Sequence, residues 1–235
     1  METKIITISD THNQHRKINV PNGDIIIHAG DFSMRGTKEE ITDFIDWYSE
    51  LPHTYKILIA GNHDKGTDPD QNKTKYKGLS ILFEEKCSKK GIILLNNSDC
   101  VVKTNNNLDL KIWGSPVSPS FGAGWAWNRD RGQDIRKHWN QIPSDIDILV
   151  THGPPENYLD KTFFGYNAGC SDLYKSLLKT KPKLHVFGHI HEARGMLRHK
   201  TENIVLVNTC SVDFEYKLRE FPFYSFVWED LSDQK

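Results

Sequence analysis

Two histidines separated by one residue, His189 and His191, follow a short apolar run in the stretch HVFGHIHEARG, residues 185–195. Neutral imidazole is the commonest metal-ligating side chain, so the pair indicates a metal site. The chain contains 11 histidines, however, and a pair of this kind can also arise by chance. A metal site needs three or more protein ligands, so the hypothesis depends on whether further ligands exist elsewhere in the chain.

Further side chains that can bind metal follow four other apolar runs. Each run is typical of a β-strand, and an aspartate, asparagine or histidine follows its end, often beside glycine. These residues are Asp10 and His12 in SDTH, Asp31 in AGD, Asn62, His63 and Asp64 in AGNHD, and His152 in THG. In open α/β sheets, ligands bind outside the carboxyl ends of the strands, and glycine lets the backbone approach a bound group closely. The five strand ends together predict one site assembled from five loops.

Strands and helices that must position these loops alternate along the chain. Four helices are predicted, at 37–51, 77–91, 134–142 and 170–182, and the spacing of Thr37 and Glu40 predicts a capping box at the start of the first. Ten short runs predict strands, several of them apolar on both faces as in strands buried between layers. They are KIITI (4–8), DIIIHAG (24–30), KILIAG (56–61), GIILLN (91–96), CVVKT (100–104), LDLKIWG (108–114), DILVTHG (147–153), LHVFGHI (184–190), NIVLVNTC (203–210) and YSFVWE (224–229). The alternation indicates an α/β protein, and we expect a single domain over residues 1–235.

Composition and charge exclude several classes of protein. With 30 basic and 31 acidic residues the net charge is -1, which argues against long nucleic acid or an acidic membrane surface as the partner. No apolar run approaches the length of a membrane span, and the N-terminal stretch does not have the pattern of a secretory signal. The four cysteines are scattered without Cys-x-x-Cys spacing, as expected of reduced thiols. We therefore expect a soluble, cytoplasmic protein.

The motifs D-x-H, G-D, G-N-H-D, H and G-H-x-H, in this order, resemble those of the calcineurin-like metallophosphoesterases. The resemblance covers nearly the whole chain. The stretches GDFSMRGTKEE, IAGNHD, ILVTHGPP and HVFGHIHE are most similar to a small cytoplasmic subgroup described as metallophosphoesterase-domain proteins. The resemblance implies a four-layer αββα sandwich, in which two mixed β-sheets are flanked by helices.

A set of ligands for two divalent ions is also implied by the resemblance. One ion would be held by Asp10, His12, Asp31 and His191, and the other by Asp31, Asn62, His152 and His189, so that Asp31 bridges the two. Nitrogen and oxygen ligands without a thiolate suit Mn, Fe or Zn, and we favour Mn. Many relatives have glycine after the histidine of the first motif, where this chain has Asn13. Asparagine tolerates positive φ better than most residues, so we expect the loop to keep its shape.

Electrostatics favours a phosphodiester as the substrate of such a site. Two divalent ions bring about four positive charges, and only two of the ligands, Asp10 and Asp31, are carboxylates. The remaining charge matches a phosphodiester monoanion and a hydroxide, which would form from a bridging water and attack phosphorus in line. Cyclic or other small nucleotides are candidate substrates. A phosphomonoesterase or nuclease of the same fold, or a scaffold protein that binds metal and nucleotide with little turnover, stays an alternative.

Three further polar residues are candidates for catalysis. In the family, the histidine that matches His63 donates a proton to the leaving oxygen or stabilises its charge, and Asp64 either orients that imidazole or is a loop or helix-cap carboxylate. Arg35 lies four residues after Asp31, in the register where an arginine of related phosphoprotein phosphatases clamps the phosphate. The alternative for Arg35 is a solvent-facing side chain. We expect Arg35, Asn62 and His63 to contact the substrate.

Aromatic residues are concentrated in the loop WGSPVSPSFGAGWAWNRDRG, residues 113–132. Trp113 is expected to pack on the core. For Phe121, Trp125 and Trp127, packing on the core and covering of the substrate both stay open. Because each of the three rings has a π-face, we pursue the hypothesis that they cover the pocket and stack on a nucleotide base.

Overall fold

The computed structural model describes residues 1–73 and 75–232. Its helices are α1 (Lys38–Glu50), α2 (Leu79–Lys89), α3 (Gln133–Trp139), α4 (Ser171–Thr180) and α5 (Trp228–Ser232). Its strands are β1 (Lys4–Ile8), β2 (Ile25–Ala29), β3 (Tyr55–Ile59), β4 (Ile92–Leu94), β5 (Ser98–Lys103), β6 (Asp109–Ser115), β7 (Ser118–Pro119), β8 (Asn128–Arg129), β9 (Ile148–Thr151), β10 (Leu184–Phe187), β11 (Gly195–Arg198), β12 (Val205–Asn208) and β13 (Tyr224–Val227).

The predicted strands and helices are all present, with ends that differ by at most three residues. The capping box of α1 is confirmed, because Thr37 Oγ1 accepts from the backbone of Glu40 and Glu40 Oε2 accepts from the backbone of Thr37. Of the α-helices and strands given above, β7, β8, β11 and α5 were not predicted. The two strands β7 and β8 have only two residues each, and α5 begins within the run interpreted as the last strand.

The strands form two large mixed sheets and one small one. The first sheet has the order β13-β1-β2-β3-β4, in which β1 to β4 are parallel and β13 is antiparallel. The second has the order β11-β12-β10-β9-β6-β5, with antiparallel strands at both edges and four parallel strands between them. β7 and β8 pair separately. Within each sheet, the parallel strands end at one common edge.

Alternation of apolar side chains explains why the sheets are stacked between helices. In β2, Ile25 and Ile27 face the second sheet, whereas Ile26 faces α1 and α2. In β9, Val150 faces the first sheet, whereas Leu149 faces α3 and α4. Each of these five side chains is fully buried, and full burial of such a residue contributes about 1.5–3 kcal/mol. The result is the predicted order of layers: helices, sheet, sheet, helices.

The two sheets are joined at the edge where the parallel strands end. Ser9, directly after β1, forms a parallel bridge with Cys210, which lies beyond β12. Next to the bridge, Thr209 Oγ1 donates to the carbonyl of Thr7 over 2.8 Å. The loops after β1, β2 and β3 therefore lie beside the loops after β9 and β10. No helix in the described part of the chain is long and apolar enough to span a membrane.

Candidate metal centre

The polar residues that follow five strands come together between the two sheets, as the sequence predicted. Their ligand atoms form three overlapping groups in which all atoms lie within 4.8 Å of one another. The groups are Asp10, His12 and His191; His12, Asp31 and His63; and Asp31, His152 and His189. Asp31 belongs to two of the groups, and so does His12.

In the first group, three side chains converge on one point. His191 Nε2 lies 3.3 Å from Asp10 Oδ1 and 3.2 Å from His12 Nε2. His12 Nε2 lies 3.9 Å from Asp31 Oδ2. These ring nitrogens and carboxylate oxygens therefore face one another, as they would around a shared cation.

Asp31 Oδ2 also faces the histidines of the third group, His152 and His189. It lies 3.4 Å from His152 Nε2, and His152 Nε2 lies 2.8 Å from Asn62 Oδ1. The ring of His189 contacts that of His152, with centroids 4.9 Å apart. One carboxylate oxygen of Asp31 thus lies between His12 on one side and His152 on the other.

Three of the imidazoles are oriented by backbone carbonyls. Nδ1 of His12 donates to the carbonyl of Ser33, Nδ1 of His152 to that of Ala29, and Nδ1 of His191 to that of Asp213. The donor–acceptor distances are 3.2, 2.9 and 3.0 Å in that order. A carbonyl can only accept, so it fixes the proton on Nδ1 and leaves Nε2 directed into the site. The same arrangement is typical of histidines that bind metal.

Asp10 is held mainly through its carboxylate oxygen Oδ2. Oδ2 accepts from Ser9 Oγ and from Cys210 Sγ over 3.1 Å, and the backbone N–H of His189 is shared between Oδ1 and Oδ2, each over 3.1 Å. Oδ1 is then directed towards His191. Gly188 is required here, because a Cβ at this position would collide with Asp10 Oδ2 and Ser9 Oγ.

The loops after β1, β2 and β10 contain residues with positive φ. The φ angles are 51° for Asp10, 40° for His12, 63° for Asn13, 54° for Asp31 and 70° for His189. Backbone conformations of this kind are strained for residues other than glycine and are concentrated at functional sites. Asn13 adopts the positive φ that asparagine tolerates, and its side chain donates to Glu40 over 2.7 Å. That the loop keeps its shape stays a prediction.

Burial and mutual charge set the protonation of the histidines. Burial lowers the pKa of His12 to about 4, although Asp31 and Asp10 oppose it, and lowers the pKa of His189 to about 3. Burial also disfavours the charged form of His152, but the Asp31 carboxylate outweighs it and raises the pKa to about 9. An ion bound beside Asn62 would therefore replace a proton on Nε2 of His152, as coordination requires.

A cavity of about 330 Å³ opens directly over these groups. Its polar lining includes Asp31, Asn62, His63, His189 and His191. The backbone N–H of His63 donates to Asp31 Oδ1 over 2.7 Å, and its Nδ1 donates to the carbonyl of Met34 over 2.8 Å. The Nε2 atom of His63 is therefore the ring nitrogen left for a substrate.

Of the two roles considered for Asp64, the structure supports the loop carboxylate and not the catalytic role of orienting His63. Its carboxylate is fully buried and accepts from the Ser33 N–H, the Ser33 hydroxyl and the Gly61 N–H over 2.9, 2.6 and 2.8 Å. It does not orient His63, whose Nδ1 is bound by Met34 instead. Burial, with the Asp31 charge nearby, raises the pKa of Asp64 to about 8. Asp64 thus connects the loops after β2 and β3 and does not face the cavity.

For Trp127 the structure supports packing on the core, the alternative that the sequence left open, and not the covering of the substrate. Its side chain is 6% exposed and packs with Ala60 and Ala126, and its Nε1 donates to Thr67 Oγ1 over 3.0 Å. Phe121 and Trp125, by contrast, line the cavity. Trp113 is buried in the core, as predicted.

Arg35 lies outside the lining of the cavity. Its backbone is held by Glu40 and Tyr76, and its side chain is exposed. A contact between Arg35 and a phosphate therefore stays a prediction.

Three residues that the sequence analysis did not identify also line the cavity: Glu192, Phe214 and Tyr216. The ring of Tyr216 contacts the rings of His12 and His191, with centroids 4.9 and 5.2 Å apart. Phe214 and Tyr216 belong to a loop after β12 without a recognisable motif. Their positions depend on a turn in which Tyr216 has a φ of 61°.

The sandwich and the convergent carboxylate, amide and imidazole groups define a protein of the metallophosphoesterase class. The sequence model described as calcineurin-like phosphoesterase matches residues 3–193, and the chain belongs to this family.

Relatives agree with this assignment, and a solved structure has the same fold. The chain is 36% identical over 227 residues to metallophosphoesterase domain-containing protein 1 of Homo sapiens, covering 91% of this chain and 68% of that protein. It is 34% identical over 226 residues to UPF0046 protein K07C11.7 of Caenorhabditis elegans, covering 94% and 74%. The crystal structure of phosphopantetheinyl hydrolase from Mycobacterium tuberculosis is similar with a TM-score of 0.65 over 96% of each chain, at 14% identity, which shows a common fold.

Proposed function

We propose that this protein is a phosphoesterase that uses two divalent metal ions and prefers phosphodiesters, including cyclic or other small nucleotides. The observation that carries the proposal is the position of Asp31 Oδ2, which lies 3.9 Å from His12 Nε2 and 3.4 Å from His152 Nε2. A carboxylate between two imidazole groups is suited to bridge two ions. The proposed ligands are Asp10, His12, Asp31 and His191 for one ion, and Asp31, Asn62, His152 and His189 for the other.

The chemistry of the donor set fits such ions. The inward-facing atoms are imidazole nitrogens, an amide oxygen and carboxylate oxygens, which suit Mn, Fe or Zn, and we favour Mn. When bound, the ions would supply positive charge for the phosphate oxygens and lower the pKa of the attacking water. The carbonyls of Ser33, Ala29 and Asp213 would keep the ligating nitrogens in place before and after ion binding.

His63 is the proposed general acid. Because Nδ1 donates to the carbonyl of Met34, protonation of the ring places the second proton on Nε2, in the cavity. From there it can be transferred to the leaving oxygen. Asn62 and His63 are the polar groups we expect beside the scissile phosphate.

Charge favours diesters over monoesters. Two ions would bring about four positive charges, and the carboxylates of Asp10 and Asp31 would neutralise two of them. The remaining charge of about +2 would be neutralised by one hydroxide and one monoanionic diester. A phosphomonoesterase or nuclease is the alternative within the fold, and a binding protein of low turnover is the alternative outside enzymes.

We further propose one domain over residues 1–235 and a cytoplasmic location. The hydrophobic core shared by the two sheets supports a single domain. The four cysteines, none of which forms a disulfide, support a cytoplasmic location.

The proposal is tested with a panel of substrates. Protein loaded with Mn is assayed with 4-nitrophenyl phosphate, bis(4-nitrophenyl) phosphate and cyclic nucleotides. We expect metal-dependent hydrolysis with a higher kcat/KM for diesters than for the monoester. A higher kcat/KM for the monoester would contradict the diester preference, and tight metal binding without turnover of any substrate would favour the binding protein.

Arg35→Ala tests the predicted phosphate clamp. The side chain is exposed, so its removal should not affect folding, and a charged hydrogen bond to a phosphate contributes about 1.5–3 kcal/mol when fully formed. We expect a fall in kcat/KM of about ten-fold, mainly through KM, with the metal content unchanged. The matched control is Arg198→Ala, because Arg198 is exposed on β11 and bonds to Asn203. Equal kcat/KM for Arg35→Ala and Arg198→Ala would show that the Arg35 side chain faces the solvent and does not contact the phosphate.

A further inference from the structure

Exposed aromatic side chains are concentrated around the cavity. Among the described residues, the exposed large aromatic side chains are Phe121, Phe163, Phe164, Tyr166, Phe214, Tyr216 and Phe221. Three of them, Phe121, Phe214 and Tyr216, line the cavity itself. Contiguous exposed apolar surface next to a site is typical of binding surfaces. These rings therefore need an explanation beyond packing.

The rings that line the cavity form two sets, and each set lies nearest to a different part of the metal centre. In the first set, Phe121 contacts His189 and Trp125 contacts His63, with centroids 5.2 and 4.6 Å apart. Phe121 and Trp125 also contact each other at 5.6 Å.

The second set contains Phe214 and Tyr216, and Tyr216 contacts His12 and His191. This set continues outwards, because Phe163 stacks on Phe214 with centroids 5.6 Å apart and an interplanar angle of 26°. The backbone of Phe163 is in turn held by Glu192 Oε1 over 2.5 Å.

From this arrangement we propose that the second set is a separate subsite, so that among phosphodiesters the protein prefers acyclic ones with an apolar planar group on each ester oxygen. The inference rests on the proposed function and specifies its substrate class. The phosphate would lie at the metal centre, one planar group against Phe121 and Trp125, and the other against Phe214 and Tyr216. Both sets offer ring faces, which bind planar groups with little selectivity for their identity.

The position of His63 assigns the leaving group to one subsite. The His63 ring lies 4.6 Å from Trp125 and 6.2 Å from Tyr216, so its proton is delivered nearer to the first set. The ester group that leaves therefore stacks on Trp125. The ester group that stays on phosphorus lies against Phe214. Hydrolysis breaks the bond between phosphorus and the leaving oxygen, and the water forms the new bond between oxygen and phosphorus. His63 gives its proton to the leaving oxygen, the water releases a proton to solvent, and His63 takes a proton back from solvent.

The experiment compares two diesters with the same leaving group. Bis(4-nitrophenyl) phosphate has a ring on both sides, whereas methyl 4-nitrophenyl phosphate has a methyl group in place of the ring that stays. We expect Phe214→Ala to lower kcat/KM for bis(4-nitrophenyl) phosphate by about ten-fold, because losing a ring contact of about 1.4 kcal/mol lowers kcat/KM ten-fold. For methyl 4-nitrophenyl phosphate, kcat/KM should stay within about two-fold of the wild-type value. Trp125→Ala should lower kcat/KM for both substrates.

Two further variants separate the loss of the ring from a disturbed loop. Phe214→Tyr keeps a ring face and should restore wild-type kinetics. Phe221→Ala is the matched control, because Phe221 is 68% exposed and does not line the cavity. This variant should leave kcat/KM unchanged for both substrates. Equal losses on both diesters with Phe214→Ala, or no loss on either, would overturn the second subsite.

Binding is measured in parallel, so that the inference does not depend on turnover. Calorimetry on Mn-loaded protein compares diphenyl phosphate with methyl phenyl phosphate. We expect the wild type to bind diphenyl phosphate about ten-fold more tightly and Phe214→Ala to bind the two ligands equally. Equal affinities in the wild type would overturn the inference. Absence of turnover together with the expected affinities would instead overturn only the proposed function.

Discussion

Asp31→Asn is expected to remove both ions from the protein. Asp31 Oδ1 accepts from the backbone of His63 over 2.7 Å, and Oδ2 faces His12 and His152. In the variant, the amide oxygen must take the position of Oδ1, because it is the only remaining acceptor for that N–H. The –NH₂ group, which has no lone pair to offer, then faces both ions. Loss of groups that merely orient ligands costs 10–100-fold in affinity, so we expect a loss of about 100-fold or more at both sites.

Metal content after gel filtration, together with calorimetric titration with Mn, measures this loss. Wild-type protein should bind two equivalents, and Asp31→Asn should bind neither ion tightly. Asp145→Asn is the matched control, since Asp145 is 71% exposed and pairs with Lys111, and it should bind like the wild type. A variant that loses one ion and keeps the other at full affinity would contradict the bridging role.

His63→Ala is expected to keep both ions and to lower kcat by about 10²–10⁴, the usual effect of losing a general acid. The reduction should be smaller for nitrophenyl esters than for alkyl or nucleoside esters, because a good leaving group needs less protonation. The measurement is kcat for a series of diesters of increasing leaving-group pKa, with metal content determined on the same samples.

The dependence on the leaving group discriminates between two roles of His63. Its ring also lies close enough to His12 and Asp31 to be a metal ligand, and in that case the variant would lose an ion. Equal losses of kcat across the series would exclude the general acid. The control is His138→Ala, because this histidine lies on α3, bonds to Asn97 and does not line the cavity.

The fold and the proposed ligands could be predicted because both depend on short segments. An apolar run forms a strand, and the residue directly after it must lie at the end of that strand. Asp10 and Asp31 therefore converge once β1 and β2 are parallel, whereas His152 joins them only because the second sheet stacks on the first. The αββα layer order was predicted only from the family resemblance, since the alternation of Ile25, Ile26 and Ile27 does not reveal which neighbour covers each face.

The partners of individual side chains could not be predicted, because they depend on packing between distant loops. His63 is oriented by the carbonyl of Met34, and a backbone carbonyl has no signal in a sequence. Trp125 and Trp127 are two residues apart, yet one lines the cavity and the other is buried against Thr67. Tyr216 reaches the site through a turn with positive φ that no motif indicates.

The division of the ligands between the two sheets has a thermodynamic consequence. Asp10, His12, Asp31 and Asn62 follow strands of the first sheet, whereas His152, His189 and His191 follow strands of the second. Each proposed ion would therefore connect both halves of the sandwich, and separating the halves would release it. Ion binding and folding would then be linked equilibria. A free ion concentration 100 times the dissociation constant would add about 2.7 kcal/mol per site to the free energy of unfolding, so the midpoint of thermal denaturation would rise with the metal supply.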